Sequence, residues 1–338
     1  MSAWQEFLSS RTPTSTADDA EQAALALPTA EAGDSILVDL SHYGLLSLEG
    51  EDAQTFLQGQ VTNDVKLLTG SSHYSGYCSP KGRLLALFLA FAHDGKLWLQ
   101  FDGGLTAAIA KRLRMYVLRS KVVITEHSAE TLVRLGVAGQ QAEAALRAQF
   151  TSIPETEYAV VSQDGLALIR LPGSLPRYEI IVPAAEAPAL WDKLAATLKA
   201  ATQADWDNRE IHAGIPEIVS ATQETWVPQM VNLDLLNGIN FKKGCYTGQE
   251  IVARTHYLGK VKRRTHLAHL PLLAPIAAGS EIVDAAGNVA GQVVRSAANP
   301  DGGQDILAEL RLESVEAGAL SWQGMALQLL PMPYALEK

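Results

Sequence analysis

The residues best suited to chemistry in this sequence surround one cysteine, Cys245. It lies in the run Asn240-Phe-Lys-Lys-Gly-Cys-Tyr-Thr-Gly-Gln-Glu-Ile-Val-Ala-Arg254. The flanking glycines allow a tight turn that leaves sulphur accessible, and the adjacent Lys242 and Lys243 favour the thiolate. Positions 242 to 264 contain seven Lys or Arg and one acid, although the whole chain has a formal net charge of -10. The pattern predicts a functional thiol.

A purely structural role remains the alternative for Cys245, because most free cysteines behave as small buried hydrophobic residues. Cys78, the other cysteine, lies in the turn-like run Gly76-Tyr-Cys-Ser-Pro-Lys-Gly82, and we predict a structural role for it. Two distant thiols in a chain of 338 residues do not form a disulfide framework. Their number therefore indicates a reducing compartment.

Several kinds of chemistry and location are disfavoured by the sequence. It contains no His-Glu-x-x-His, no paired Cys-x-x-Cys and no phosphate loop. His266 and His269 would face opposite sides of a predicted strand, so we predict no metal site. The start of the chain lacks a secretory pattern, and the longest apolar run, Leu84 to Ala92, is too short to span a bilayer. We therefore expect a cytoplasmic protein without a membrane segment, and the acidic net charge argues against general coating of nucleic acid.

Local patterns predict several elements. Ile36–Leu40 are expected to form a short apolar strand, Asp94-Gly95 the turn of a hairpin, and Leu105, Ile109 and Leu113 one face of a helix.

Strand and helix patterns alternate along the chain, which predicts an α+β fold. We expect a loosely ordered lead-in over residues 1–34 and a first α+β domain over 35–125. A second α+β domain over 126–258 would carry the Cys245 motif. Short strands with glycine turns then predict a small C-terminal β barrel over 259–338.

The run Lys243-Gly-Cys-Tyr-Thr-Gly-Gln-Glu250, followed by Arg254, resembles the signature of YgfZ-type proteins. The resemblance implies three domains in an aminomethyltransferase-like arrangement around a central folate site. It also implies a cytosolic accessory protein that supports iron–sulphur proteins and, through them, tRNA modification. Cys245 would be the functional thiol, accompanied by Lys243, Arg254 and the remaining motif residues Gly244, Tyr246, Thr247, Gly248, Gln249 and Glu250.

The same resemblance implies a cofactor, tetrahydrofolate or a one-carbon derivative of it. Tyr43 and Trp206 fall where the family has aromatic residues that line the folate. Glu179 resembles the carboxylate by which aminomethyltransferases hold the aminopyrimidine edge of the pterin. A flat aromatic ligand of this kind needs a stacking surface and polar partners. Without the resemblance, all three residues would be interpreted as structural.

One departure from the aminomethyltransferases bears on the reaction. They carry acidic residues, including the aspartate that promotes methylene transfer, at the positions of Leu84, Leu85 and Ala86. A leucine can neither accept a proton nor stabilise a developing cation. The sequence therefore argues against glycine-cleavage activity and leaves open whether any reaction is catalysed.

Three functions compete at this point. The favoured one is a folate-binding accessory for the assembly or repair of iron–sulphur proteins, with those proteins or their assembly factors as partners. The alternative is a folate-dependent one-carbon transferase or demethylase that acts on an unknown substrate. Direct tRNA binding by the basic stretches is less favoured, because charged strips are more often solvated faces.

Overall fold

The N-terminal segment differs in part from the predicted loose lead-in. The computed structural model describes residues 2–11, 28–31 and 33–337. Ala3–Arg11 form a helix, α1, in which Trp4 is 2% exposed and its ring lies 5.7 Å from the ring of Trp191. Burial of this large side chain stabilises a helix that the polar composition did not indicate. Residues 12–27, which make up most of the predicted lead-in, lie outside the described residues. The first strand, β1, spans Ile36–Asp39.

The first sheet contains five strands: β2 (Tyr43–Glu49), β3 (Ser72–Cys78), β4 (Leu84–His93), β5 (Lys96–Asp102) and β6 (Val123–His127). They pair antiparallel in the order β3-β4-β5-β2-β6. Two helices accompany them, α2 (Ala53–Gln58) and α3 (Thr106–Val117). Strands β4 and β5 are joined by Asp94 and Gly95, both at positive φ, as a tight two-residue hairpin turn requires.

Strand β1, which opens the predicted first domain, pairs within the second sheet. The other strands of this sheet are β7 (Leu132–Ala138), β8 (Val160–Gln163), β9 (Leu166–Leu171), β10 (Arg177–Pro183) and β11 (Lys199–Ala201). The order is β11-β1-β7-β10-β9-β8, with β1 parallel to β11 and antiparallel to β7. The apolar run predicted this strand, but its partners lie too far along the sequence for local patterns to identify them.

Two helices lie between strands of the second sheet, α4 (Ala142–Arg147) after β7 and α5 (Ala187–Ala195) after β10, and α6 (Gln203–His212) and α7 (Gln249–Tyr257) follow β11. After α6 the chain returns to the first sheet, where the Leu84 amide donates to the Trp226 carbonyl at 2.8 Å. Thr62 Oγ1 likewise donates to the Gly238 carbonyl at 2.7 Å. The Cys245 motif therefore packs on the first sheet, not within the second α+β unit to which the sequence pattern assigned it.

The C-terminal unit is the predicted small barrel-like sheet. Its seven strands are β12 (Arg263–Leu270), β13 (Glu281–Val283), β14 (Val289–Ala298), β15 (Gln304–Arg311), β16 (Ser321–Trp322), β17 (Met325–Ala326) and β18 (Gln328–Leu330). They follow the order β17-β16-β13-β14-β15-β12-β18, and helix α8 (Leu312–Ala317) follows β15. None of the helices in the described ranges is long and apolar enough to cross a membrane.

The largest hydrophobic core joins the three units. It contains side chains of the first sheet, together with residues of the second and third sheets such as Ile169 and Leu307. Separate smaller cores fill the outer side of the second sheet and the C-terminal unit. The shared core holds the three sheets together around one cavity.

Candidate functional site

The cavity lies where the three sheets and α6 meet, and it encloses about 430 Å³, including the part open to solvent. Strands β4 and β5, strands β9 and β10, helix α6 and strand β14 all contribute side chains to it. The wall combines aromatic, aliphatic and ionisable groups: Tyr43, Tyr74, Leu87, Leu89, Gln100, Phe101, Asp102, Leu171, Glu179, Trp206, Glu210, Ile215, Pro216, Glu217 and Arg295. Its mixed lining of apolar surface and a few convergent polar groups is typical of a small-molecule site.

All three residues that the resemblance implied for folate binding, Tyr43, Glu179 and Trp206, line this cavity. Trp206 is 1% exposed and is positioned by α6, whose N-terminus has a capping box between Thr202 and Asp205. A Cβ atom at position 136 of β7 would lie 2.6 Å from the indole ring, so only glycine allows this packing. The tryptophan is therefore held rigidly by two separate elements.

Glu179 has the most distinctive environment in the cavity. Its side chain comes from β10, is 1% exposed, and accepts a 2.9 Å hydrogen bond at Oε2 from Gln100 Nε2. Glu179 Oε1 and Gln100 Oε1 are buried and have no hydrogen-bond partner among the described residues. Burial raises the pKa of Glu179 to about 7, although Gln100 and Arg134 lower it. Two adjacent acceptors are thus available to a ligand that donates hydrogen bonds.

Arg295, from β14, occupies another side of the cavity. It donates to the Tyr43 hydroxyl at 3.0 Å and to Asp207, and it lies 3.6 Å from Glu210 and 3.9 Å from Glu217. Burial raises the pKa of Glu217 to about 7, while the positive charge of Arg295 lowers it. This cation therefore connects the C-terminal sheet to a group of carboxyls between the domains.

The Cys245 motif lies apart from this cavity. Cys245 is exposed, and none of the described residues lining the cavity comes from positions 240–258. The motif contacts the β3–β4 turn, whereas the first residue of β4 that lines the cavity is Leu87. A strand rise of about 3.3 Å per residue puts Leu87 about 10 Å beyond Leu84, the first residue of β4. The structure thus brings the implied folate residues together and does not add the thiol to them.

The environment of Lys243 differs from the predicted one, in which its charge would favour the Cys245 thiolate. Its Nζ is buried and donates to three backbone carbonyls, those of Gln58 at 2.7 Å, Val61 at 2.5 Å and Asn63 at 2.9 Å. Burial lowers its pKa to about 8. The lysine therefore fixes the motif to the end of α2 and the segment after it, whereas the side chains of Lys242 and Arg254 are exposed.

The remaining motif residues form the turn into α7. Gly248 precedes this helix with φ of 83°, and a Cβ there would lie 2.4 Å from the Ser79 carbonyl. Tyr246 is buried, with its ring 5.1 Å from Lys243 Nζ. Thr247 and Gln249 are half-buried, and Gly244, Glu250 and Arg254 are exposed. Burial of Lys243 and Tyr246 anchors the loop and leaves the sulphur on its surface.

Comparison with known proteins decides the family. The GCVT N-terminal domain matches residues 29–204. The tRNA-modifying protein YgfZ of Colwellia psychrerythraea strain 34H is 38% identical over 236 residues, which are 69% of this chain and 71% of the relative. The tRNA-modifying protein YgfZ of Serratia proteamaculans strain 568 is 38% identical over 229 residues, 67% of this chain and 68% of the relative. The chain belongs to the YgfZ family.

The fold of this YgfZ-family chain is similar to a solved aminomethyltransferase. The glycine cleavage system aminomethyltransferase T from Bartonella henselae superposes with a TM-score of 0.68, over 90% of this chain and 88% of that one. The sequence identity is 21%, so the similarity concerns the fold. It confirms the predicted α+β, aminomethyltransferase-like architecture.

The sequence interpretation missed several cavity residues of this YgfZ-family protein. Gln100, Glu210, Glu217 and Arg295 belong to no motif, and each comes from a different element. Only the alternation along β5 could have indicated that Gln100 shares a strand face with its neighbour at position 102. In the described part of the chain, no group of three His, Cys, Asp or Glu side chains is placed to hold a metal ion.

Proposed function

We propose that this protein binds tetrahydrofolate, or a one-carbon derivative of it, in the cavity between its three units. In this proposal it acts as an accessory for the assembly or repair of iron–sulphur proteins, and through them supports tRNA modification. Membership of the YgfZ family supports the connection to tRNA modification, since both relatives named above are tRNA-modifying proteins. The match to the GCVT N-terminal domain supports the folate site.

The observation that carries the folate proposal is the pair of free acceptors at Glu179 and Gln100. A pterin has an amino group and a ring N–H on one edge, and these donors suit an ionised carboxylate and a neighbouring amide oxygen. Tyr43 and Trp206 supply aromatic surface in the same cavity. A buried acceptor without a donor is costly, so a ligand that satisfies both atoms gains affinity.

Calorimetric titration with tetrahydrofolate tests this proposal. The Glu179→Gln variant keeps the side-chain shape but loses the charge, so its dissociation constant should be about tenfold or more above that of the wild type. Exposed Glu130→Gln, matched in chemistry, should bind as the wild type does. Absence of measurable binding by the wild-type protein would remove the folate hypothesis.

The thiol part of the proposal is supported by the surface around Cys245. The sulphur is exposed, and so are Tyr257, the last residue of α7, and Leu258, which follows it, at 64% and 84%. Lys242 and Arg254 add two exposed cations. Exposed apolar side chains at the end of the helix that follows a free thiol are suited to contact with a protein partner. Because iron–sulphur clusters usually take four ligands, any cluster at Cys245 would be shared with that partner or with a second copy.

A complementation experiment separates the thiol from the cavity. Cells that lack this protein would receive the wild type, Cys245→Ser or Cys78→Ala, and the iron–sulphur-dependent modification of their tRNA would be measured. We expect loss with Cys245→Ser and retention with Cys78→Ala, because the second sulphur is buried. Full modification with Cys245→Ser would contradict a functional role for this thiol. Unchanged tetrahydrofolate affinity of the same variant would assign the loss to the thiol alone.

One observation favours the alternative, a folate-dependent one-carbon transferase or demethylase. Glu217 lines the cavity with a pKa raised to about 7 by burial, and a carboxyl in this range can exchange protons at neutral pH. Turnover of a methylamine donor that requires tetrahydrofolate and is lost in Glu217→Gln would support this function. Absence of turnover in the wild type, with folate binding intact, would favour the accessory role.

A further inference from the structure

A second cavity lies on the other side of α6, between the β9–β10 connection, α6 and the β14–β15 connection. It encloses about 800 Å³, including the part open to solvent. Arg177 separates the two cavities: its guanidinium lies 5.1 Å from the ring centre of Trp206 and forms an ion pair with Glu210. Trp206 and Glu210 face the first cavity, and Arg177 faces the second. The two sites therefore share one wall.

The second cavity is lined by two arginines, Arg177, which is paired with Glu210, and Arg209, which has no carboxylate partner in the described part of the chain. Arg209 is half-buried and donates to the carbonyls of Asp205 and Asp34, each at 3.0 Å, and it forms no ion pair with a carboxylate among the described residues. Arg177 is 3% exposed, and its Nε has no partner there. Asp301 is the acid on the rim. A half-buried guanidinium such as that of Arg209, which has no carboxylate of the described ranges in hydrogen-bond contact, gains from a charged acceptor.

A buried carboxylate fixes the edge of this cavity. Asp305 is fully buried and accepts hydrogen bonds from His212 Nε2 at 2.7 Å, His269 Nδ1 at 2.8 Å, Asn299 Nδ2 at 2.7 Å and Asn208 Nδ2 at 3.0 Å. Burial acts to raise the pKa of Asp305, but the hydrogen bonds from the histidines and Asn208 outweigh it and hold the pKa below its usual value.

This arrangement orients one side chain toward a ligand. His212 is 43% exposed, lines the cavity and uses Nε2 for the bond to Asp305. Its Nδ1 makes no hydrogen bond within the described ranges and, when the ring is protonated, is a second donor. The imidazole cannot rotate without breaking a bond to a buried carboxylate. Its orientation is therefore fixed before a ligand arrives.

We propose that this second cavity binds a small anion, a carboxylate or a phosphate group, held by Arg209, Arg177 and His212. Both groups present several oxygens to a guanidinium, and neither is distinguished by the donors in this wall. The cavity is larger than one such group, so the anion would be part of a small molecule. The inference is independent of the folate proposal, because it uses a different cavity and different donors.

Calorimetric titration of the full-length protein with inorganic phosphate, and separately with glutarate, tests the inference at constant ionic strength. We expect saturable binding of at least one anion, and whichever binds identifies the source as phosphate or carboxylate. Arg209→Met should raise the dissociation constant about tenfold, the loss of one charge-assisted interaction. Lys193→Met, an exposed cation on α5, is the matched control and should leave binding unchanged.

A gain of affinity distinguishes binding from misfolding. Asp301 is exposed on the rim, so Asp301→Lys exchanges a repulsive charge for an attractive one and should tighten binding by about threefold or more. A destabilised protein could not produce that result. The inference is overturned if neither anion shows saturable binding in the millimolar range. It is equally overturned if Asp301→Lys fails to tighten binding while Arg209→Met binds as the wild type does.

Discussion

Glu179 combines near-complete burial with one carboxyl oxygen that lacks a partner among the described residues. Burial raises its pKa from 4.5 to about 7. The Glu179 carboxyl therefore binds its proton more tightly in the folded protein than in the unfolded chain. It follows that the contribution of Glu179 to stability decreases as the pH rises from about 4.5 to about 7, and is constant beyond that range.

The Glu179→Gln variant lacks this titration. Its unfolding free energy minus that of the wild type should therefore increase by about 3 kcal/mol between pH 4.5 and pH 8. Denaturant unfolding of both proteins at the two pH values measures this change. The exposed Glu130→Gln variant should show no such increase. An equal difference at both pH values would mean that Glu179 ionises normally.

Cys245 and Cys78 are a natural pair for a test of thiol accessibility. Cys245 is exposed, whereas Cys78 is 1% exposed and burial raises its pKa to about 12. In the native protein at pH 8, iodoacetamide should modify Cys78 at least about a hundredfold more slowly than Cys245, since only an accessible thiolate reacts. Peptide mass spectrometry measures both rates, and unfolding should make them similar. Slow native modification of Cys245 would undermine its proposed role.

At the scale of elements, the turn before α7 depends on one of its two glycines. Gly248 has φ of 83°, and a Cβ there would approach the Ser79 carbonyl to 2.4 Å. At Gly244, no heavy atom of the described residues lies within 4 Å of such a Cβ. Gly248→Ala should therefore destabilise the protein by about 2 kcal/mol or more, and Gly244→Ala by less than about 1 kcal/mol. Thermal unfolding of both variants tests the contrast, and equal losses would contradict it.

The attachment of the motif to the first sheet depends on Lys243. Replacing it with Met leaves the carbonyls of Gln58, Val61 and Asn63 without their shared donor, at a cost of about 3 kcal/mol or more. Lys242→Met removes a neighbouring cation from the surface and should change stability by less than about 0.5 kcal/mol. Urea unfolding compares the two. A larger loss for Lys242→Met would show that charge around the thiol, and not anchoring, governs this loop.

Local sequence signals predicted those elements whose structure is decided locally. The Asp94-Gly95 turn and the amphipathic pattern of α3 fall where expected, because adjacent residues determine both. The sheet to which β1 belongs has no local signal, since pairing with β7 and β11 is decided by burial between distant segments. Lys243 was misinterpreted for the same reason: its partners precede it by about 180 residues, so the sequence shows only the neighbouring thiol.

At the scale of the whole molecule, the cavity depends on contacts between distant segments that no sequence motif indicates. The three implied folate residues were identified from a resemblance, and their meeting in one wall requires the first sheet, the second sheet and α6 together. Arg295 comes from the C-terminal sheet and contacts groups of α6 and of the first sheet. A side chain of this kind has no sequence signature, because its partners are determined only when the units associate.

The docking of the C-terminal unit should therefore respond to Arg295 and to pH together. Arg295→Met leaves Asp207, Glu210 and Glu217 near one another without their cation, and such a loss costs about 3–5 kcal/mol when the carboxyls are ionised. The pKa of Glu217, about 7, should rise further because Arg295 lowers it. The destabilisation should thus be larger at pH 8 than at pH 5, where Glu217 is protonated. Arg311→Met, on the same unit with a 47% exposed side chain, should cost less than about 1 kcal/mol at either pH. Urea unfolding at both pH values measures the effect, and a loss independent of pH would show that Arg295 acts by packing and not by charge.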